Sequence, residues 1–255
     1  MARKKPHWLN KHIELIPWII AGILITTAAH GIIYWLYNTG ETHIFLHIPK
    51  TGGTAVNQWV DQQHQYHQCQ SIRTAHTHYL DAENAIQLGY KPFTIIRHPT
   101  DRFISSFYYW KHGSKDITAW RRADHWRKAE GIETPNELID ILKNPNHPRH
   151  KKTIDALFNR NQYTHRHHFL PQSKWLKTYK DQTIIICYHA QNLNKNLQEA
   201  FIKHDIQCPI ENLPIINQSI TPLRQRKNHL SLENMQWLKA TYDDDFKLWQ
   251  QYCGD

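Results

Sequence analysis

The chain has 255 residues and a mass of 30.5 kDa, enough for one large or two small domains with a buried core. Its 40% hydrophobic and 21% charged residues, with 9 Gly, 12 Pro and 4 Cys, exclude a disordered chain, a collagen-like repeat and a disulfide scaffold. The 31 Lys and Arg against 22 Asp and Glu leave +9, which points to an anionic partner, whether nucleic acid, lipid headgroup, acidic glycan or nucleotide, and 20 histidines make that charge sensitive to pH.

Residues 1–15 form a basic tail carrying Arg3, Lys4, Lys5 and Lys11. From Leu15 to Gly40 there is no Asp, Glu, Lys or Arg. Residues 16–37 would make a helix of about 33 Å, against a bilayer core of about 30 Å. Trp18 near one end and Tyr34, Trp35 and Tyr37 near the other sit where interfacial aromatics belong. The run is too long for a signal-peptide core and no small-residue cleavage site follows it, so the expectation is one uncleaved transmembrane anchor over 16–37. Pro17, Thr26, Thr27 and His30 dilute the run and keep a buried soluble helix as the competing reading. Positive charges before the anchor favour a cytosolic N-terminus and type II topology, with a folded domain over 42–255 close to the membrane.

Beyond the anchor the pattern alternates between strands and helices. A short apolar run over 43–48 (HIFLHI) reads as a buried strand, followed by a glycine turn and a helix over 54–65 carrying Val56, Trp59 and Val60. A short helix is expected over 81–88, a second strand over 93–96, and a helix over 99–110. Thr134-Pro135-Asn136-Glu137 is a capping box opening a helix through Leu142. A third strand is expected over 183–188 and an amphipathic helix over 191–204. One final helix starts at Ser231, with Met235, Leu238, Tyr242, Phe246 and Trp249 at steps of three and four. This order predicts an α/β fold, a P-loop-like parallel sheet flanked by helices, whose ligands bind beyond the carboxyl ends of the strands.

Two segments after predicted strands carry chemistry. In His47-Ile48-Pro49-Lys50-Thr51-Gly52-Gly53-Thr54, the glycines let the backbone bend around an anion and the following helix adds its positive end. Lys50 supplies a full charge, and Thr51 and Thr54 supply hydroxyls. An ordinary Gly-Gly turn beside an exposed lysine is the alternative for this segment taken alone. It is not the Walker arrangement, because the lysine precedes the glycine pair, and this argues against a nucleotide kinase or NTPase. In the second segment, 94–110, Arg97 stands at a strand end and Ser105 lies about two helical turns on; an arginine fork and a serine hydroxyl together suit a phosphate dianion. Arg102 reads as structural, and Phe107 and Tyr108 as core.

HIPKTGGT followed by IIRHPTDRFISSFYYW resembles the carbohydrate sulfotransferases of membrane-anchored and bacterial type (sulfotransferase family 2). The likeness continues through His168-Phe169-Leu170-Pro171-Gln172, through Leu213-Pro214-Ile215-Ile216-Asn217-Gln218-Ser219, and through Tyr242-Asp243-Asp244-Asp245-Phe246, so it covers most of 44–252. It implies a sulfotransferase fold and the donor 3′-phosphoadenosine 5′-phosphosulfate (PAPS). The first loop, Lys50 to Thr54, would take the 5′-phosphosulfate, Arg97 and Ser105 the 3′-phosphate, and Asn217 and Ser219 the nucleotide's surroundings. His168 and Gln172 would stand on the acceptor side. His98 departs from the family pattern, which usually has Asp there.

The resemblance implies in-line transfer of a sulfuryl group to a carbohydrate hydroxyl, with Lys50 stabilising the leaving phosphate. It also points to Arg73-Thr74-Ala75-His76-Thr77-His78-Tyr79 for the general base, with His76 first and His78 second; an imidazole near its ordinary pKa of about 6.5 accepts a proton at neutral pH. His-x-His, His64 with His67 and Cys69, or His165 with His167 and His168 also have metal-ligand character, but none completes a tetrahedral set and the family needs no metal. Basic residues and tryptophans interleaved over 111–152 suit either an acidic glycan or a solvated basic helix packed on the core; no nucleic-acid partner is expected. Asn217-Gln218-Ser219 is formally a glycosylation sequon, unsuited to occupancy beside a nucleotide. Cys187 reads as a core residue, leaving Cys69, Cys208 and Cys253 free to pair in an exoplasmic domain. The location expected is a single-pass membrane, Golgi in a eukaryote or inner membrane in a bacterium, where a cytosolic donor makes type II orientation awkward. A membrane-tethered, non-catalytic binder of anionic polymers is the alternative function.

Overall fold

A computed structural model describes residues 42–65, 69, 71–74, 80–113, 131–158, 166–208, 210, 213–214 and 229–254, all within one compact unit, Thr42–Asp255. The anchor expected over 16–37 lies outside the described residues; among those described, no helix is long and apolar enough to cross a membrane.

Four strands form one parallel sheet: β1 (His43–Leu46), β2 (Ile72–Thr74), β3 (Lys91–Ile96) and β4 (Ile184–Cys187), in the order β2-β1-β3-β4. The chain passes from β1 to one side for β2 and returns to the other for β3. The β1/β3 crevice is therefore the switch point at which open parallel sheets bind ligands. Strand β2 has no sequence expectation behind it, because three residues are too few to show a period.

Alternation along the strands divides the core. Phe45, Phe93, Ile95 and Ile186 face one side and meet Val56, Trp59 and Val60 of α1 (Gly53–Gln65) with residues Leu193, Leu197 and Phe201 further along the chain. Ile44 and Leu46 point to the opposite side and pack on Ala82 and Ala85 of α2 (Ala82–Gln87). The helix α3 (Pro99–His112) follows β3 and anchors a second cluster with α4 (Pro135–Lys143) and α5 (His150–Phe158). At the start of α4, Thr134 Oγ1 accepts from Glu137 N at 3.2 Å, and the Glu137 carboxylate accepts from Glu133 N at 2.6 Å, one residue short of the usual reciprocal partner.

Two single-turn helices, α6 (Arg166–Phe169) and α7 (Ser173–Leu176), lead to β4, which is followed by α8 (Leu193–Lys203). The single final helix expected from Ser231 onward is two, α9 (Leu232–Thr241) and α10 (Asp243–Cys253), meeting at Tyr242. The break keeps the apolar stripe in step, so periodicity alone does not reveal it. The three aspartates 243–245 are its signal, since acidic residues favour a helix N-terminus.

Cys187 is not a plain core thiol. It pairs with Cys253 (Cα–Cα 5.7 Å), while Cys69 pairs with Cys208 (Cα–Cα 5.2 Å). Alternation places Cys187 with Ile185 on the sheet face that α10 covers, and a strand pattern does not distinguish a packed thiol from one facing another cysteine far along the chain. The Cys187–Cys253 bond closes a loop of 66 residues. Changing both cysteines to alanine is expected to lower the unfolding free energy by about 4 kcal/mol on the chain-entropy account, read from urea denaturation. An unchanged midpoint would show that closing this loop contributes nothing.

Candidate active site

After β1 the chain turns through Pro49, Lys50 and Thr51 into α1. Lys50 has φ +69° and Gly52 φ +90°, both left-handed. For a non-glycine residue this backbone costs about 1–2 kcal/mol, so neighbours must hold it. Arg102 Nε donates to Pro49 O at 3.0 Å, and Arg97 Nη1 donates to Lys50 O at 3.4 Å. The two glycines serve different needs. Gly52 supplies the left-handed turn, and a Cβ on it would also press the Tyr188 ring at 3.0 Å. On Gly53 a Cβ would collide with the His47 ring, so glycine permits that imidazole to lie across the helix start.

Arg97 follows directly on β3. Its backbone is clamped by Gln172, which offers Oε1 to Arg97 N at 2.9 Å and donates Nε2 to Arg97 O at 2.8 Å, as a neighbouring strand would. Gln172 is held in turn by Asp245, fully buried, whose two oxygens accept from Gln172 N at 2.7 Å and Ser173 N at 2.9 Å. The guanidinium lies 4.8 Å from the Tyr188 ring centroid, and Nε has no hydrogen-bond partner among the described residues. Burial pushes its pKa down, opposed by Tyr188 and Asp101, yet an arginine stays protonated in a protein. A desolvated cation with a donor unused is well prepared for an anion.

Arg102 is the structural arginine. Beyond Pro49 it donates Nη1 to Leu170 O at 2.8 Å and Nη2 to His167 O at 3.3 Å. Ser106 Oγ takes His168 O at 2.7 Å and Tyr242 Oη takes Phe169 O at 2.6 Å. Four successive carbonyls around the end of α6, where a helix leaves its acceptors unsatisfied, are thus all partnered. This fixes His168 beside Tyr109, with ring centroids 4.7 Å apart. His98, where the family pattern has Asp, makes no side-chain cap at the start of α3 and instead packs edge-on against Phe246 and Trp249 of α10, each at 5.6 Å. Burial lowers its pKa.

Lys50, Gly52, Gly53, Thr54, Arg97, Ser105 and His168 line one cavity of about 520 Å³ at the carboxyl end of the sheet. Two residues named from the sequence stand behind it. Thr51 is fully buried, and its hydroxyl donates to Ile48 O at 2.8 Å, so it shapes the loop rather than presenting a hydroxyl to the cavity. Gln172 is fully buried, with its amide spent on the Arg97 backbone, and is not among the residues lining the cavity. His76, His78, Asn217 and Ser219 lie outside the described residues. Cys69, weighed as a metal ligand, is in a disulfide. Among the described residues no group of three or more His, Cys, Asp or Glu is placed to hold a metal ion.

His47, Tyr109 and Tyr188 also line the cavity, although the sequence assigned none of them a role in the site. Tyr109 lies one turn beyond Ser105 on α3, and Tyr188 is the first residue after β4; those positions are the signals that would have found them. Leu213 and Pro214 also line it, with Leu213 N held by Asn194 Oδ1 at 3.4 Å.

A parallel sheet with a glycine turn carrying Lys50 after β1 and a partly buried Arg97 after β3, both lining one cavity at its switch point, has the arrangement in which open α/β sheets bind ligands. The model of the Sulfotransferase family matches residues 36–252, and the chain belongs to that family, sulfotransferase family 2. Its reaction class is sulfuryl transfer. A search of the curated proteins and of the solved structures found no match to the chain.

Proposed function

We propose that the protein transfers the sulfuryl group of PAPS to a hydroxyl of a carbohydrate. One observation carries the reading: Lys50 and Arg97, which follow β1 and β3, line the same cavity. Its volume, about 520 Å³, falls in the range of roughly 300–1,000 Å³ usual for ligand pockets. The loop over Lys50 to Thr54 takes the 5′-phosphosulfate, Arg97 and Ser105 take the 3′-phosphate, and the adenine extends toward Leu193, Leu213 and Pro214. By resemblance, Asn217 and Ser219 are assigned to the binding of the nucleotide.

In the reaction the sulfur–oxygen bond to the 5′-phosphate breaks, its electron pair staying on the phosphate oxygen. The acceptor oxygen forms the new bond to sulfur and gives up its proton. The Lys50 ammonium and the leading amides of α1 meet the charge on the leaving phosphate. His76, or His78 beside it, takes the proton. The +9 charge supports an acidic glycan as acceptor.

The two disulfides support a domain in an oxidising compartment, which accords with an anchor over residues 16–37 in type II orientation. Transfer of radiolabelled sulfate from PAPS to a panel of uronic-acid and galactosamine glycans, lipids and tyrosine peptides tests the whole reading. The label is expected in a glycan. Label only in lipid or peptide would overturn the carbohydrate acceptor, and salt-sensitive polyanion binding with no transfer would favour a tethered binder instead.

A further inference from the structure

The carboxylate of Asp245 is fully buried and accepts two successive backbone amides, Gln172 N at 2.7 Å and Ser173 N at 2.9 Å. Gln172 in turn brackets the peptide groups of Arg97. From this chain of contacts we infer that Asp245 is a positioning residue for the nucleotide donor, acting through Gln172 to hold Arg97 where it meets the 3′-phosphate. The inference rests on the proposed reading of Arg97 as a ligand of that phosphate.

Arg97 is the first residue beyond β3, where the strand ladder stops. Tyr188 N still donates to Ile96 O at 2.8 Å, but the next N–H and C=O, those of Arg97, turn to a side chain. Gln172 Oε1 accepts from Arg97 N at 2.9 Å and Nε2 donates to Arg97 O at 2.8 Å. An N–H requires an acceptor and a carbonyl a donor, and a side-chain amide offers both at once. With its backbone held in this way, Arg97 places Nη1 3.4 Å from Lys50 O and its guanidinium carbon 4.8 Å from the Tyr188 ring centroid. Glutamine is a long side chain with several rotatable bonds, so it fixes Arg97 only while its own backbone is fixed.

Asp245 supplies that second anchor. It stands in the first turn of α10, one turn beyond Tyr242, so the two residues reach the same stretch of chain. Tyr242 Oη donates to Phe169 O at 2.6 Å, and the Asp245 carboxylate takes the amides of Gln172 and Ser173. An ionised carboxylate only accepts, and its bonds to backbone N–H groups are charge-assisted. Asparagine has the same shape, but one of its two terminal atoms is a donor. In Asp245→Asn that donor would confront a backbone N–H and leave it unsatisfied in a buried place. Neither Asp245 nor Gln172 lines the cavity, so the effect on a ligand must pass through Arg97.

Because Arg97 is assigned to the 3′-phosphate, the loss should fall on nucleotides that carry one. We expect Asp245→Asn to weaken 3′-phosphoadenosine 5′-phosphate about tenfold in isothermal titration, and adenosine 5′-phosphate less than about threefold. In transfer assays the KM for PAPS should rise about tenfold while kcat at saturating donor stays within about threefold. Added to Arg97→Ala, Asp245→Asn should cost less than about twofold more, since the group it positions is already gone. A readout independent of any ligand is exchange of the Arg97 amide hydrogen, followed by NMR, which should quicken about tenfold in Asp245→Asn. If Asp245→Asn does not fold, Gln172→Met cuts the same chain one link nearer to Arg97 and is expected to give the same pattern.

Unchanged affinity for the 3′-phosphorylated nucleotide in both variants would overturn the inference. So would an equal loss for the two nucleotides, which would mark a general loosening of the cavity. If instead the wild-type protein binds both nucleotides alike, the assignment of Arg97 to a 3′-phosphate fails. The exchange rate of the Arg97 amide then still decides whether Asp245 holds that backbone, and an unchanged rate would refute it.

Discussion

Lys50→Ala is expected to lower kcat by at least about 10²–10³-fold while leaving the binding of 3′-phosphoadenosine 5′-phosphate, the spent donor, within a few-fold of wild type. The magnitude follows from removing one preorganised donor at a site of developing negative charge, about 3–4 kcal/mol. Lys50 is partly exposed at the cavity and lies in a turn whose neighbours are held by Thr51, Arg97 and Arg102, so the fold should survive its truncation. Loss of the left-handed strain is not expected, because alanine carries the same Cβ as lysine. Single-turnover rates with saturating PAPS separate chemistry from binding. Wild-type turnover in this variant would remove Lys50 from the reaction.

Arg97→Ala is expected to weaken binding of the same nucleotide by about 10²–10³-fold, measured by isothermal titration. The guanidinium is partly buried, and its buried Nε is unused among the described residues. A 3′-phosphate would complete its solvation with charge-assisted hydrogen bonds worth about 1.5–3 kcal/mol each. Alanine also removes the contact with Tyr188 and the bond to Lys50 O, so the first loop should loosen together with the 3′-phosphate site. Arg97→Lys separates these effects. It keeps a charge but loses the planar fork, and intermediate affinity is expected. Titration curves indifferent to both changes would place the 3′-phosphate elsewhere.

Much of the fold was legible from local pattern. The apolar runs that became β1, β3 and β4 are short, dense and bounded by turn residues, and helix starts at Asp81, Thr134 and Ser231 carry side-chain caps at those residues. The short elements without a dense apolar run, β2, α6 and α7, were not legible, since they are too brief for a period and exist because the tertiary structure partners their backbone. In the site, Lys50, the glycine pair, Arg97 and Ser105 were legible because each belongs to one contiguous segment. The inward turn of Thr51 was not. A threonine hydroxyl bonds equally well to a phosphate or to a carbonyl three residues back, and only the loop's curvature selects the carbonyl.

The sequence by itself determined which segments carry chemistry: strand, glycine turn, lysine and helix at one place, strand end, arginine and serine at another. Contacts within about ten residues dictate those features, and a linear pattern records them. Only the tertiary structure decided that the two segments share one cavity, that Gln172 clamps the Arg97 backbone across 75 residues of chain and is held by Asp245 a further 73 on, and that Cys187 meets Cys253. Those pairings depend on how β1, β3 and β4 stack and on which helix covers each face. Distant side chains meet only after the core has closed, and no local spacing encodes their approach.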